Sequence, residues 1–310
     1  MRIYLSSGHK YPGWRYGCAS HAVHDYLARG LAELGHEVHY HLKESSDARL
    51  PKGIVSATGI RGDEDILHIN HLPLSDASKL GQPWVRSVHS DLLGQGFPVR
   101  KARQNFIFVS QKHANYHSSD RFVHNGIDPA DFIYVETKDD YFLFIVAGDL
   151  PKAKSKGLDI ALRISKWTGI RLRVAGGPVD IAEMAEFEGY CRANGADCVG
   201  IVNGERKAEL FAGAKALLFP TQVNEAFGMP LAEALMSGTP VIASDKGAMP
   251  ELLPPSVGFV CSNIANYLDA VAKIKHIAPQ DCRELALNRY HYLAMARSYL
   301  KEYQREIEDA

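Results

Sequence analysis

The sequence predicts an α/β protein made of two Rossmann-like domains, each a parallel sheet covered by helices. Three observations carry that reading. The chain has 310 residues, too long for one ordinary core and comfortable for two domains of about 150 each. Short runs rich in valine, isoleucine and aromatics alternate with helical patterns from end to end, as they do in parallel sheets buried on both faces. These runs fall into two sets of six.

In the first half the strand runs are RIYLSS (2–7), HEVHYHL (36–42), DILHINH (65–71), WVRSVH (84–89), FIFVSQ (106–111) and RFVHN (121–125). Between the first two, Val23, Leu27, Leu31 and Leu34 recur at helical spacing, and Gly35 stands where a helix C terminus takes a left-handed residue. The stretch 124–141 combines an Asn-Gly turn, a proline and a charge cluster, which suits a join between domains. In the second half the runs are YFLFIVAG (141–148), RLRVAGG (171–177), CVGIVN (198–203), ALLFPT (216–221), PVIAS (240–244) and VGFVCS (257–262). Leu210, Phe211 and Ala214 mark a helix before the fourth of these. Residues 279–308 form a long polar helical pattern after the last strand.

Bulk charge offers nothing to recruit a nucleic acid, because 35 Lys and Arg nearly cancel 36 Asp and Glu, so no nucleic-acid partner is expected. The two halves differ: residues 1–125 hold 15 basic and 11 acidic side chains, with twelve of the fourteen histidines. That modest excess suits an anionic acceptor or a peripheral membrane contact. Five scattered cysteines (Cys18, Cys191, Cys198, Cys261, Cys282) lack metal-site spacing and fit a reducing cytoplasm. The N-terminal run has no signal-peptide core, and no segment approaches the roughly 20 apolar residues of a membrane span. His68 and His71 alternate on one strand with no third ligand evident, so no metal is expected. Nor does the first turn, G-H-K-Y-P-G-W-R-Y-G, have the glycine spacing of a dinucleotide dehydrogenase.

The chemistry concentrates in NEAFGMPLAEALMSGTPVIAS, residues 224–244. Pro230, Leu231, Leu235 and Met236 place a helix over about 230–237, closed by Gly238. Glu225 then lies in the loop before that helix and Glu233 on its second turn. The amides of Phe227, Gly228 and Met229 fall at the helix N terminus, where peptide dipoles favour phosphate, and glycine at 228 permits close backbone approach. Two carboxylates beside such a cradle repel phosphate, and are better suited to accept hydrogen bonds from sugar hydroxyls.

Glu225-Ala-Phe-Gly-Met-Pro-Leu-Ala-Glu233 and the strand after it resemble the E-x7-E signature of retaining glycosyltransferases of the GT-B fold, chiefly their family four. Phe122 to Asp128 (FVHNGID), Lys156-Gly157, Val202 to Glu205 and Gly247-Ala-Met-Pro-Glu251 resemble further motifs of that family, so the likeness extends over nearly the whole chain. It implies an N-terminal acceptor domain over 1–130, a nucleotide-sugar domain over 131–285 and a last helix, 286–310, returning to the first domain. Donor and acceptor would meet in a cleft between the two.

The resemblance also implies the site. Glu225 lies by the donor sugar, Glu233 binds the ribose hydroxyls, and the Phe227–Gly228–Met229 turn holds donor sugar and distal phosphate. Lys156 stabilises the leaving diphosphate, and Gly17 is the residue where the family has a glycine-rich turn against it. His89, at the carboxyl end of its strand, lines the reacting centre, and Asp91, two residues on, is placed to orient either His89 or an acceptor hydroxyl. The implied partners are a UDP- or GDP-sugar donor and a carbohydrate, lipid-linked or small-molecule acceptor, with no cofactor. One departure stands out: the family usually reads Gly-Arg where this chain reads Gly148-Asp149. Lys152 or Lys154 is expected to substitute for that arginine. A sugar-nucleotide epimerase and a non-catalytic sugar-nucleotide-binding protein are the alternatives.

Overall fold

A computed structural model describes residues 1–9, 11–12, 19–42, 49–70, 81–90 and 104–310. The chain divides into two compact units, Met1–Asp128 with Arg289–Ala310, and Pro129–Asn288. The first unit holds β1 (Arg2–Ser6), β2 (Glu37–His41), β3 (Ile54–Ala57), β4 (Ile66–Ile69), β5 (Trp84–Val88) and β6 (Phe106–Phe108). The second holds β7 (Phe142–Ala147), β8 (Leu172–Gly177), β9 (Asp197–Gly200), β10 (Ala216–Phe219), β11 (Val241–Ser244) and β12 (Gly258–Cys261).

Strand order is β3-β2-β1-β4-β5-β6 in one sheet and β12-β11-β10-β7-β8-β9 in the other, and every pairing is parallel. Counted along the chain within each unit, both are the doubly wound order 3-2-1-4-5-6. Its direction of winding reverses between the first and fourth strands, and ligands bind outside the carboxyl ends there. In the second unit that point lies between β7 and β10.

Among the described residues the helices are α1 (Ala19–Glu33), α2 (Gln111–Tyr116), α3 (Leu150–Ser155), α4 (Leu158–Thr168), α5 (Ile181–Ala193), α6 (Gly204–Gly213), α7 (Met229–Met236), α8 (Met249–Leu252), α9 (Ile264–Lys273), α10 (Pro279–Arg289) and α11 (Tyr292–Glu308). None is long and apolar enough to cross a membrane. The apolar stripe of α1 is buried at Val23, Leu27 and Leu31, and Gly35 closes it with φ +87°.

Three readings of the sequence need correction. RFVHN is not a strand. It makes one bridge to β6 at Phe108–Phe122, with hydrogen bonds from Phe108 N to Arg121 O and from Val123 N to Phe108 O. The sixth strand of that sheet is instead β3, an edge strand of only four residues, IVSA, a run too short to stand out as a strand. The polar pattern 279–308 is two helices, α10 and α11. The break falls at Tyr290–His291, where backbone bonds to Ile127 divert the chain and the His291 ring caps Leu293 N at 3.0 Å.

Helix α11 packs along α1, closely enough that a Cβ on Gly30 would stand 2.9 Å from that of Ala296. Its inner face carries hydroxyls into the first sheet. Tyr303 OH meets His68 Nδ1 at 2.7 Å, His68 Nε2 meets Ser87 Oγ at 2.7 Å, and Ser87 Oγ meets Tyr299 OH at 2.5 Å. The buried Arg121 guanidinium donates to Glu302 at 2.6 Å and Glu306 at 2.7 Å.

Candidate active site

In the second unit, the loops after β7 and β10 flank the point where winding reverses, and each supplies one half of an ion pair. Lys156 closes α3, and its Nζ lies 2.5 Å from Glu225 Oε2. Backbone geometry holds both partners. Gly157 has φ +92°, a region closed to most side chains, and an added Cβ would sit 2.0 Å from the Pro220 carbonyl oxygen. Gln222 N bonds Ser155 O at 3.0 Å, tying the two loops together. On the other side, Ala248 N bonds Glu225 O at 2.9 Å, and a Cβ on Gly247 (φ +56°) would meet the Glu225 backbone at 2.3 Å. The G-x-x-x-E run thus supports Glu225 from behind.

Glu233 forms the second pair. Helix α7 opens on Gly228 at φ +84°, has Pro230 in its first turn and buries every side chain from Leu231 to Met236, Glu233 included. A carboxylate so placed needs a partner. Lys207 of α6 supplies it, Nζ to Glu233 Oε1 at 2.6 Å. Lys207 is the site residue that motif reasoning missed. Its signal was present: Lys207, Leu210, Phe211 and Ala214 share one helical stripe, so a lysine stands among side chains that are otherwise buried. Between the two acids, the Phe227 side chain is buried and Met229 half-buried, which fixes the turn that carries Gly228.

Asp149, the departure from the family pattern, has a structural role. Its side chain accepts from Lys152 N at 3.0 Å as the N-cap of α3. The loop lysines differ in disposition. Lys154 Nζ lies over the Tyr190 ring at 4.4 Å, whereas Lys152 is exposed with its alkyl chain against Gly148. Lys152 therefore suits a diphosphate better than Lys154.

His89 belongs to the first unit. Half-buried just past β5, its Nε2 lies 3.2 Å from His24 Nε2 of α1. It is one member of a histidine cluster. His9 stacks on His21 with ring centroids 4.4 Å apart, and its Nε2 meets Asp25 Oδ1 at 3.0 Å. Tyr40 OH donates to the same oxygen at 2.6 Å. Burial, reinforced by the neighbouring His9, holds His21 below its ordinary pKa. The spacing of one strand and one helix gave no hint of this convergence. Gly17, Asp91 and His71 lie outside the described residues.

Both His68 nitrogens are engaged by Tyr303 and Ser87. The group of described residues with metal-ligand geometry is His39, Asp63 and Glu64, whose ligand atoms lie within 4.8 Å of one another. Both His39 nitrogens already meet carboxylates there, Glu64 at 3.1 Å and Glu37 at 2.8 Å.

Residues 130–290, a little over half the chain, match the family model described as Glycosyl transferases group 1. The chain belongs to that family. A similar protein is the MMP alpha-(1->4)-mannosyltransferase of Mycolicibacterium hassiacum, 41% identical over 54 residues. That match spans only 17% of this chain and 13% of the mannosyltransferase. Group 1 membership agrees with the likeness to solved structures. AviGT4, a glycosyltransferase involved in avilamycin A biosynthesis, superposes with a TM-score of 0.77 at 23% identity, over 100% of this chain and 99% of that one. Sucrose-phosphate synthase of Thermosynechococcus elongatus gives 0.75 at 16% over 100% of both. Anabaena Alr3699/HepE, solved in complex with UDP and glucose, gives 0.71 at 13% over 98% and 100%. At these identities the likeness is one of fold, and the fold is that of the GT-B glycosyltransferases.

Proposed function

We propose that the chain is a retaining glycosyltransferase that moves a hexosyl group from UDP or GDP to an acceptor hydroxyl without a metal ion. The observation that carries this reading is the pair of lysine-held acids on either side of the α7 N-terminal turn, Lys156–Glu225 and Lys207–Glu233. In the free protein each lysine neutralises its acid. When donor binds, Glu233 accepts from the ribose hydroxyls, with Lys207 fixing its rotamer. Glu225 accepts from hydroxyls of the sugar, which frees Lys156 to turn toward the diphosphate.

Charge develops on the departing diphosphate, so the largest catalytic contribution is preorganised positive charge at that position. Lys156, Lys152 and the N-terminal dipole of α7 supply it where a metal would otherwise stand. Retention then follows from same-face attack, with the leaving phosphate taking the acceptor proton. His89 lines the acceptor side, and a carbohydrate, lipid-linked or small-molecule hydroxyl would be the acceptor. The UDP and glucose in the HepE complex and the mannosyl transfer named for the M. hassiacum protein support a hexose donor of this kind.

The test is a thermal-shift panel of UDP-, GDP- and ADP-hexoses on the wild type and Glu233→Ala. Losing the ribose hydrogen bonds should cost about 2 kcal/mol, roughly 30-fold in donor affinity. Donor stabilisation unchanged in the variant would remove the ribose assignment. Product formation with the best donor, followed by NMR at the anomeric carbon, reports retention. Turnover only in the presence of an acceptor excludes an epimerase, and undiminished turnover in EDTA supports the metal-free reading.

A further inference from the structure

At the outer edge of the second sheet, three arginines and a cysteine line a cavity of about 420 Å³. Arg171 and Arg173 stand at the amino end of β8, Arg192 in the last turn of α5, and Asp197 and Cys198 at the start of β9. The strands are parallel, so this is the end of the sheet opposite the loops bearing Lys156 and Glu225. Asp197 neutralises Arg171 at 2.7 Å. Arg173 lies over the Tyr141 ring at 4.2 Å, and the charge of Arg192 acts on the Cys198 sulfur. Against these, Glu188 acts on the same sulfur with the opposite sign. The cavity wall keeps an excess of positive charge.

Cys198 is half-buried on that wall, and Cys191 of α5 lies behind it, fully buried in the core. Cys198 packs against the core cluster that includes Cys191. The neighbouring Cys191 thiol, a backbone hydrogen bond at Gly200 and Arg192 hold the pKa of Cys198 below the ordinary thiol value against the opposing effects of burial and Glu188, while the Cys191 thiol is pushed up. Cys261 and Cys282 are also buried, but burial alone acts first on them and drives both up to about 12. Cys198 thus combines thiolate character, an accessible face and an adjacent second thiol, the features of an exchanging cysteine.

We propose that Cys198 is a site of thiol–disulfide exchange with small disulfides that carry carboxylates, and that Cys191 is its resolving thiol. The Cys198 thiolate attacks one sulfur of the small disulfide. A mixed disulfide forms on Cys198, the sulfur–sulfur bond of the reagent breaks, and the departing thiolate keeps the electron pair and takes a proton from water. Cys191 then loses its proton and attacks the Cys198 sulfur, giving a Cys191–Cys198 bridge and a second free small thiol. The protein is oxidised by two electrons and one small disulfide is reduced to two thiols. The excess arginine charge selects carboxylates on the incoming reagent.

The test compares oxidised glutathione, which bears carboxylates, with cystamine, which is cationic, at neutral pH and low salt, locating products by peptide mass mapping. Expected is rapid conversion of Cys198 to the adduct or to the bridge with Cys191, leaving Cys261 and Cys282 untouched. Cys191→Ser should trap the adduct on Cys198. Arg192→Gln should lower the ratio of the glutathione rate to the cystamine rate by about threefold or more, because one cation beside the thiolate is gone. Arg173→Gln is the second variant should the first unfold, as judged by its thermal transition. Cys198 untouched in the native wild-type protein, or a rate ratio unchanged in the folded variants, would overturn the proposal.

Discussion

On the proposed function, Lys156 holds two positions in turn. In the free protein its ammonium satisfies Glu225 at 2.5 Å, and that carboxylate is only partly exposed. On that reading, a donor sugar whose hydroxyls took over Glu225 would release the lysine for the diphosphate, so the ion pair would store a cation where charge develops. Lys156→Ala should therefore lower kcat about 100-fold while changing the KM for donor far less. Steady-state kinetics over a donor series checks this, and a variant that loses only KM would make Lys156 a binding group alone. Asp149 belongs to the same scale. Read as a motif it looks like a repulsive substitution beside a diphosphate, yet its carboxylate is bound to Lys152 N as a helix cap. A capping role depends on where a six-residue helix begins, which the motif did not show.

At the scale of elements, the switch-point loops depend on glycines that no other residue can replace. Gly157 combines φ +92° with a Pro220 carbonyl 2.0 Å from any added Cβ. Gly157→Ala should destabilise the second unit by about 2–3 kcal/mol, and displace Lys156 from Glu225. Thermal unfolding alongside donor binding reads both effects, and an unchanged transition would show that the loop can relax.

The six strands of the second sheet were legible because each is an apolar run bounded by turn residues. The first sheet was less so. IVSA is apolar but only four residues long, too short to stand out, while RFVHN is apolar enough to look like strand but runs beside β6 for a single bridge. The E-x7-E block announced the acids, Glu225 and Glu233. It did not announce Lys207, because that contact joins two helices 26 residues apart in sequence. The histidine cluster around His9, His24 and His89 was equally silent, since it draws on β1, α1 and β5 together.

For the molecule as a whole, acid is the expected weakness. His68 is fully buried, and burial, reinforced by His89, drives its pKa from 6.5 down to about 3. Its folded value is depressed, so the unfolded chain takes up the proton first. The stability it contributes is complete above pH 6.5 and is lost as pH falls from there toward 3, at about 1.4 kcal/mol per pH unit. Glu64 acts in the same direction at lower pH. Burial raises its pKa, but hydrogen bonds from His39 and from the Arg61 and Gly62 amides outweigh this and leave it lowered. The wild type should melt distinctly lower at pH 5 than at pH 7.5, and His68→Gln should show a smaller difference between the two. Equal differences in both proteins would assign the acid weakness elsewhere.

Because residues 289–310 are an integral part of the first unit, its Tyr299, Tyr303 and Arg121 contacts join segments about 180 residues or more apart in the chain. During synthesis, His68 and Ser87 lack their tyrosines until α11 has left the ribosome. The second unit, contiguous in the chain, is under no such delay and can be complete before the earlier half has closed.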